Sequence, residues 1–226
     1  LRHIFHENPT RALELGFRIM REQFDAHNIP TRPVLRVIGL SDNYLNRVDE
    51  LRMRDRNDLV SLDVKINDVS QPYGWLKMAK YQCRDCGSIT EVRQRRARER
   101  ESPFVCRTCL DKMFKENDRE DLPLGLFHPT PNFTMLVEEC NYEDVQDISM
   151  SQITYNKEHH LINCSTRNQI LGTVADDLVD QIAVSKYLRV NGIVRVQPVP
   201  DRTFAKDTRR LLSIDIISVE ELSITE

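Results

Sequence analysis

The segment Cys83-Arg-Asp-Cys-Gly87 contains the first of two Cys-x-x-Cys knuckles, and the second, Cys106-Arg-Thr-Cys109, follows with nineteen residues between Cys86 and Cys106. Four thiolates in two such pairs can converge on one tetrahedral metal ion, and this spacing is typical of a zinc ribbon. Because a four-thiolate site has no open coordination position, the pattern predicts a structural zinc ion held by Cys83, Cys86, Cys106 and Cys109. Two disulfides in a secreted protein would be the alternative.

The remaining cysteines and the amino end favour a reducing compartment. Of six cysteines in 226 residues, Cys140 and Cys164 stand outside the knuckles, and we interpret them as small buried apolar side chains. The amino end shows no signal-peptide pattern, and no apolar run approaches the ~20 residues that a membrane span needs. We therefore expect an intracellular protein without a membrane partner. Since the first residue is Leu1 rather than Met, we also expect the sequence to be part of a longer protein.

The overall charge does not mark the chain as a nucleic-acid binder, because 32 Lys and Arg stand against 35 Asp and Glu, for a net charge of −3. Any contact with a nucleic acid would then depend on local patches. One such cluster is formed by Arg202, Lys206, Arg209 and Arg210. Cations on a loop can neutralise phosphates without reading bases, so this cluster is a candidate DNA contact. The alternative is a solvated turn.

The chain after Asp58 reads mainly as strands. Apolar and polar residues alternate in short segments separated by turn residues. These segments are 59–66, 76–82, 133–137, 147–150, 168–174, 187–196 and 211–219. The cysteine knuckles interrupt the series after its second member. About five strands with an insertion at this point are typical of a small OB-fold barrel, and the long connection before the last strand predicts a projecting hairpin.

The opening residues have a different pattern. Over residues 8–28 the apolar side chains repeat with a helical period, Asn8 is a candidate N-cap and Pro9 suits the first turn. A short strand over 34–38 and a second helix over 41–51 are predicted to follow.

We therefore predict a mostly β protein with a helical N-terminal subdomain over residues 1–57. An OB-fold is expected from 58–81 together with 132–226, with its hairpin at about 196–211. A zinc-ribbon insertion would occupy 82–131.

Several segments together resemble the amino-terminal region of the minichromosome maintenance (MCM) replicative helicases. Asn57-Asp-Leu-Val-Ser-Leu-Asp-Val-Lys-Ile-Asn-Asp-Val69 resembles the strand that opens the OB-fold of that family, and Tyr81-Gln-Cys-Arg-Asp-Cys-Gly87 resembles the start of its zinc insertion. Further matching segments come in the family's order, at 133–136, 142–148, 177–180 and 187–194. The resemblance covers nearly the whole chain.

The resemblance implies the amino-terminal region of an archaeal-type MCM helicase, in which six copies form a ring around DNA and two rings can meet as a double hexamer. It implies single-strand contacts at Lys65, Lys77 and Arg167, although a strand lysine can also simply protect a sheet edge. The compartment would be the cytoplasm or nucleoid of an archaeon, or a eukaryotic nucleus. The ATP-driven AAA+ motor of the family is a separate domain.

A motor is not expected in the present sequence, because it contains no G-x-x-x-x-G-K-[ST] phosphate loop. We therefore expect no catalytic residue here, and we expect ATP and Mg²⁺ only in the missing motor of an ATP-dependent DNA helicase.

Two segments have their own interpretations. Arg93-Gln-Arg-Arg-Ala-Arg-Glu-Arg100 either contacts duplex DNA or the ribbon of a facing ring, or is a solvated loop balanced by nearby acidic residues, and we favour the solvated loop. Tyr155-Asn-Lys-Glu-His-His160 resembles the family's loop that reaches towards the motor.

Two other functional classes fit part of the sequence. A single-strand DNA-binding protein of the replication protein A type also combines an OB-fold with a zinc ribbon, but it would not account for the helical opening. A scaffold that assembles a ring without binding DNA would fit the barrel and the metal. The first class predicts more aromatic side chains for base stacking than the strands offer.

Overall fold

The structure is a computed structural model that describes residues 5, 7–31, 33–94, 100–116, 132–199 and 209–224. The helices are α1 (Pro9–Ala26) and α2 (Arg107–Glu116), and the strands are β1 (Leu45–Asn46), β2 (Leu59–Val69), β3 (Tyr73–Cys83), β4 (Ile89–Arg93), β5 (Phe133–Met135), β6 (Asn141–Tyr155), β7 (Leu161–Ala175), β8 (Tyr187–Pro198) and β9 (Arg210–Glu221). No helix in this described part of the chain has the length and apolar character needed to cross a membrane.

The chain divides into two compact units, and the larger one combines Leu1–Tyr73 with Asp144–Glu226. In this unit five strands pair in the order β2-β8-β9-β7-β6, and β6 pairs again with β2, so the sheet closes into a barrel. The pairs are antiparallel except for β7 with β9, which run parallel. Closure leaves these five strands with few free sheet edges.

The barrel interior is filled by alternate side chains of its strands. On β2, Leu62, Val64 and Ile66 are all 0% exposed, and their spacing of two places them on one face of the strand. The other strands contribute buried aliphatic side chains of the same kind: Ile148, Met150, Ile170, Val174, Leu188, Val190, Val194, Ile214 and Ile216. A continuous aliphatic core of this size accounts for the stability of the larger unit.

Helix α1 begins as predicted, because the Asn8 side chain accepts a hydrogen bond from the backbone N–H of Arg11 at 3.0 Å and Pro9 occupies the first turn. Its Leu13 packs with Leu40 of the following segment on a small cluster that includes Ile193 of β8. The opening residues therefore cover part of the outer face of the barrel.

Two predicted elements in the opening residues are wrong. Residues 41–51 do not form a helix: a short 3-10 turn at Asp42–Tyr44 leads into β1, which pairs with β2. Leu51 is buried in the barrel core, with Val48 packed against that core. The apolar spacing that suggested a helix therefore reflects burial of these side chains in a segment that is not helical. Residues 34–38 pair with no strand in the described structure, and Arg36 donates to the Ile217 carbonyl at 2.6 Å through its side chain.

The smaller unit is Gly74–Glu143. In it β3 pairs antiparallel with both β4 and β5. The sequence analysis missed β4 and α2, because both are short and lie beside the knuckles, where turn signals dominate. Tyr81 of β3 meets Phe133 of β5 edge to face, with ring centroids 6.5 Å apart. This aromatic pair contributes to a core that is much smaller than that of the barrel.

The predicted strand segments are otherwise confirmed, and most are longer than predicted. Strands β6 and β7 have fifteen residues each and form one long hairpin. The fold is therefore mostly β, as predicted.

Candidate metal centre and nucleic-acid interface

The four knuckle cysteines lie together. Their sulfur atoms are all within 4.8 Å of one another, with 3.8 Å between the sulfurs of Cys83 and Cys109 and 3.5 Å between those of Cys86 and Cys106. In a tetrahedral site with Zn–S bonds of about 2.3 Å, neighbouring sulfurs are separated by about 3.8 Å. The geometry therefore fits a metal ion bound by four thiolates, and it is consistent with the predicted zinc ribbon.

The backbone of each knuckle turns back on itself. Gly87 has a φ of +73° and donates its N–H to the Cys83 carbonyl at 2.9 Å. This left-handed conformation favours glycine, which explains the residue type after the first knuckle. In the second knuckle, the N–H of Leu110 donates to the Cys106 carbonyl at 3.0 Å, as helix α2 begins. A strand end and a helix start thus bring the two pairs together.

The surroundings of Cys86 and Cys109 shift the pKa values of these two thiols in opposite directions. The Ser88 hydroxyl, followed by the Ser88 backbone N–H, lowers the pKa of Cys86 to about 6. Burial and the neighbouring sulfurs raise the pKa of Cys109. Four thiolates at these distances repel one another, so a bound cation is needed for all four to be ionised together.

The first knuckle is also attached to β5, a support that the sequence did not reveal. The backbone N–H of Arg84 donates to the Asn132 carbonyl at 3.0 Å, and the Arg84 Nε donates to Thr134 Oγ1 at 2.9 Å. The Asn132 amide in turn donates to Asp85 at 2.5 Å. These bonds limit the motion of the turn that carries Cys86.

The candidate DNA-binding cluster is only partly described. Strands β8 and β9 pair as far as Pro198 with Arg210, which sets the base of the predicted hairpin. Arg209 and Arg210 are exposed at this base, and the Arg210 guanidinium donates to the Arg209 carbonyl at 2.7 Å. Arg202 and Lys206 lie outside the described residues. The role of the four cations therefore stays a prediction.

The three other predicted DNA contacts have different surroundings. Lys65 is half-buried on β2, with its ammonium group 5.4 Å from the centre of the Tyr187 ring. Lys77 donates to Glu143 at 2.5 Å, so a phosphate would compete with that carboxylate for the same ammonium group. Arg167 is exposed, in a part of β7 where the register with β6 is interrupted. DNA contact at these residues stays a prediction.

A buried ion pair joins three strands of the barrel. Asp63 of β2 is 9% exposed, and it accepts from the Nε of Arg189 on β8 at 2.8 Å and from its Nη2 at 3.0 Å. The Tyr155 hydroxyl at the end of β6 donates to the same carboxylate at 2.7 Å. The hydrogen bonds from Arg189 to Asp63 raise the pKa of the guanidinium above its ordinary value. The sequence analysis missed this cluster, because its residues are far apart along the chain.

The Tyr155 ring also links this ion pair to the turn between β6 and β7. It stacks on the His159 ring, with centroids 5.5 Å apart and an interplanar angle of 15°. Within the turn, the Asn156 side chain accepts the N–H groups of Glu158 and His160, each at 2.9 Å. The segment predicted as a loop towards the motor is thus a tight, hydrogen-bonded turn.

The ends of the basic segment between the knuckles are held by a buried glutamine. Gln94 is 6% exposed, and its amide donates to the Glu101 carbonyl at 2.9 Å and accepts the Glu101 N–H at 2.8 Å. The Tyr81 hydroxyl donates to the same carbonyl at 2.9 Å. Residues 95–99 lie outside the described residues, so the interpretation of this segment stays a prediction.

Comparison with known proteins agrees with the fold. A family model described as the MCM OB domain matches residues 47–198, more than half of the chain. The chain is similar to the 1.8 Å crystal structure of the N-terminal domain of an archaeal MCM, with a TM-score of 0.66 and 18% sequence identity over 96% of this chain and 78% of that chain. At this identity the likeness shows the fold alone. No curated protein matches the sequence. The predicted OB-fold and the predicted relationship to the amino-terminal region of the MCM proteins are confirmed.

Proposed function

The chain belongs to the MCM family, and from this premise we propose that it is the N-terminal DNA-binding and ring-assembly region of a replicative helicase. Six copies encircle DNA inside the cell, and they couple it to a separate AAA+ motor that binds ATP and Mg²⁺. The observation that carries this proposal is the closed five-stranded barrel of the larger unit, in which β8 and β9 pair as far as Pro198 with Arg210 at the base of the predicted hairpin. Assembly into a double ring belongs to the same proposal.

The metal centre has a structural part in this function. Cys83, Cys86, Cys106 and Cys109 would hold one zinc ion, which supplies a cross-link between a strand end and a helix start. Since the smaller unit has a small core, this cross-link replaces the hydrophobic burial that a larger domain would use. No reaction is assigned to the zinc ion, because four thiolates complete its coordination.

DNA contact is proposed to occur mainly through phosphates. Arg209 and Arg210 are exposed at the base of the predicted hairpin, and Arg202 and Lys206 precede them in the sequence. Repeated in six subunits, even two such cations per subunit would form a strongly positive belt in a chain of net charge −3. Binding of this kind depends on salt and reads little sequence.

Replacing Arg202, Lys206, Arg209 and Arg210 together with alanine is expected to weaken DNA binding without unfolding the barrel. Loss of four phosphate contacts would reduce the magnitude of the slope of log K against log salt concentration by about 3 for each subunit that contacts single-stranded DNA. Fluorescence anisotropy of a labelled oligonucleotide, titrated at several salt concentrations, measures this slope.

A matched control removes four exposed cations from the opening residues, at Arg11, Arg18, Arg21 and Arg56. This variant has the same net charge as the hairpin variant, and it is expected to keep most of the salt slope. Unaltered DNA binding in the hairpin variant, or equal losses in both, would remove the hairpin from the proposal.

The same titration separates the alternatives. A steep loss of affinity with salt and little base preference supports a phosphate-lined ring, whereas absence of binding at low salt supports an assembly scaffold. Strong base preference with a shallow salt slope would favour base stacking of the replication protein A type. The mass of the complex in solution distinguishes a ring former from a monomer.

A further inference from the structure

Ser88 lies between the two cysteine pairs. Its hydroxyl oxygen is 3.1 Å from the sulfur of Cys86 and 3.1 Å from the sulfur of Cys106, so it contacts one cysteine of each knuckle. The side chain is half-buried. Its backbone is held in place, because the Ser88 carbonyl accepts the N–H of Cys83 at 2.9 Å. The hydroxyl is therefore presented to the sulfur cluster by a fixed segment of the chain.

The contact between the Ser88 hydroxyl and the sulfurs can stabilise the negative charge of a four-thiolate metal site. Four thiolates around one divalent cation have a net charge of −2, and each hydrogen bond to a sulfur spreads part of that charge. A serine hydroxyl has one proton, so it donates to one of the two sulfurs at a time and can exchange between them. Hydrogen bonds outside the coordination sphere orient the ligands and commonly change metal affinity by 10–100-fold.

We propose that Ser88 is a positioning residue of the metal centre, whose hydroxyl donates to the Cys86 or Cys106 thiolate and so holds the two knuckles in the zinc-bound arrangement. The proposal rests on the proposed zinc site. A hydroxyl suits this position because it is a neutral donor. Asp85, by contrast, brings one carboxylate oxygen to 4.0 Å from the Cys83 sulfur, while its other oxygen accepts a hydrogen bond from the Asn132 amide.

The test compares Ser88→Ala with Ser88→Thr, which keeps the hydroxyl. The matched control is Thr108→Ala, which removes the hydroxyl of an exposed residue between the cysteines of the second knuckle. Zinc affinity of the whole chain is measured by competition with a chelator of known affinity. We expect Ser88→Ala to bind zinc about 10–100-fold more weakly, Ser88→Thr to recover most of that loss, and Thr108→Ala to match the unmodified chain.

A second readout excludes loss of a ligand as the cause. Cobalt(II) in place of zinc gives absorption bands that report the number of coordinating sulfurs. These bands are expected to show four sulfurs in Ser88→Ala, with a shift in the sulfur-to-cobalt transitions because one hydrogen bond to sulfur is lost. Such a shift remains measurable at saturating cobalt even where the apo form of the variant is unfolded.

Three results would overturn the proposal: unchanged zinc affinity in Ser88→Ala, equal weakness in Ser88→Ala and Ser88→Thr, or a three-sulfur spectrum in Ser88→Ala. Its failure is distinguishable from failure of the zinc site itself. If the unmodified chain bound no zinc, the proposed metal centre would fall and this inference with it. If the unmodified chain bound zinc and Ser88→Ala bound it equally tightly, the metal centre would stand and only the proposed role of Ser88 would fall.

Discussion

Cys83→Ser and Cys106→Ser are each expected to release the metal and unfold the smaller unit, while the barrel stays folded. Each change removes one of the four proposed ligands. The apparent binding free energy of a structural zinc ion is about 10–16 kcal/mol. In a domain with a small core, this binding free energy contributes directly to the free energy of folding. The barrel has its own aliphatic core, to which neither cysteine belongs. Metal content is measured by elemental analysis, and Trp75, the sole tryptophan of the sequence, reports the smaller unit by fluorescence.

The matched controls are Cys140→Ser and Cys164→Ser, which remove cysteines outside the cluster. Both are expected to keep one equivalent of zinc per chain. A chelator added to the unmodified chain should reproduce the fluorescence change of the ligand variants without melting the barrel. Unchanged metal content in Cys83→Ser and Cys106→Ser would refute the assignment of ligands.

Arg189→Ala is expected to destabilise the barrel by about 3–5 kcal/mol, because it leaves Asp63 buried without its partner. The two residues face each other across β2 and β8 and share two hydrogen bonds. Loss of the guanidinium leaves the carboxylate with the Tyr155 hydroxyl as a donor, which does not replace a charge. Urea unfolding followed by far-ultraviolet circular dichroism measures the change in the free energy of unfolding.

A second arginine on the same strand provides the control. Arg195 pairs with Asp215 at 3.0 Å, and both side chains are more than a quarter exposed. Because solvent screens this pair, Arg195→Ala is expected to cost about 1 kcal/mol or less. Replacing Asp63 and Arg189 together with apolar side chains should recover much of the stability lost in Arg189→Ala. Equal effects of the two arginine changes would contradict the importance given to burial.

Local sequence patterns were sufficient where the deciding contacts are close along the chain. The N-cap at Asn8 depends on a residue three positions later. The spacing of two between Leu62, Val64 and Ile66 places these core side chains on one face of β2. The cysteine knuckles predicted a cluster because two pairs at this spacing have few other ways to pack, and the four sulfurs do lie together.

The same patterns failed where a distant strand determined the structure. The apolar spacing of residues 41–51 fits a helix, but pairing of β1 with β2 and burial of Leu51 in the barrel replaced it. Arg36 could not be recognised as an anchor, since the carbonyl it binds belongs to Ile217.

The sequence by itself thus determined the cysteine cluster, the main barrel strands and the absence of a phosphate loop, because each is a property of neighbouring residues. Only the tertiary structure decided the closure of the barrel through β6 with β2, the parallel pairing of β7 with β9 and the ion pair of Asp63 with Arg189. These contacts join residues that are far apart along the chain, and the free energy that selects them comes from burial in a shared core, which no single segment encodes.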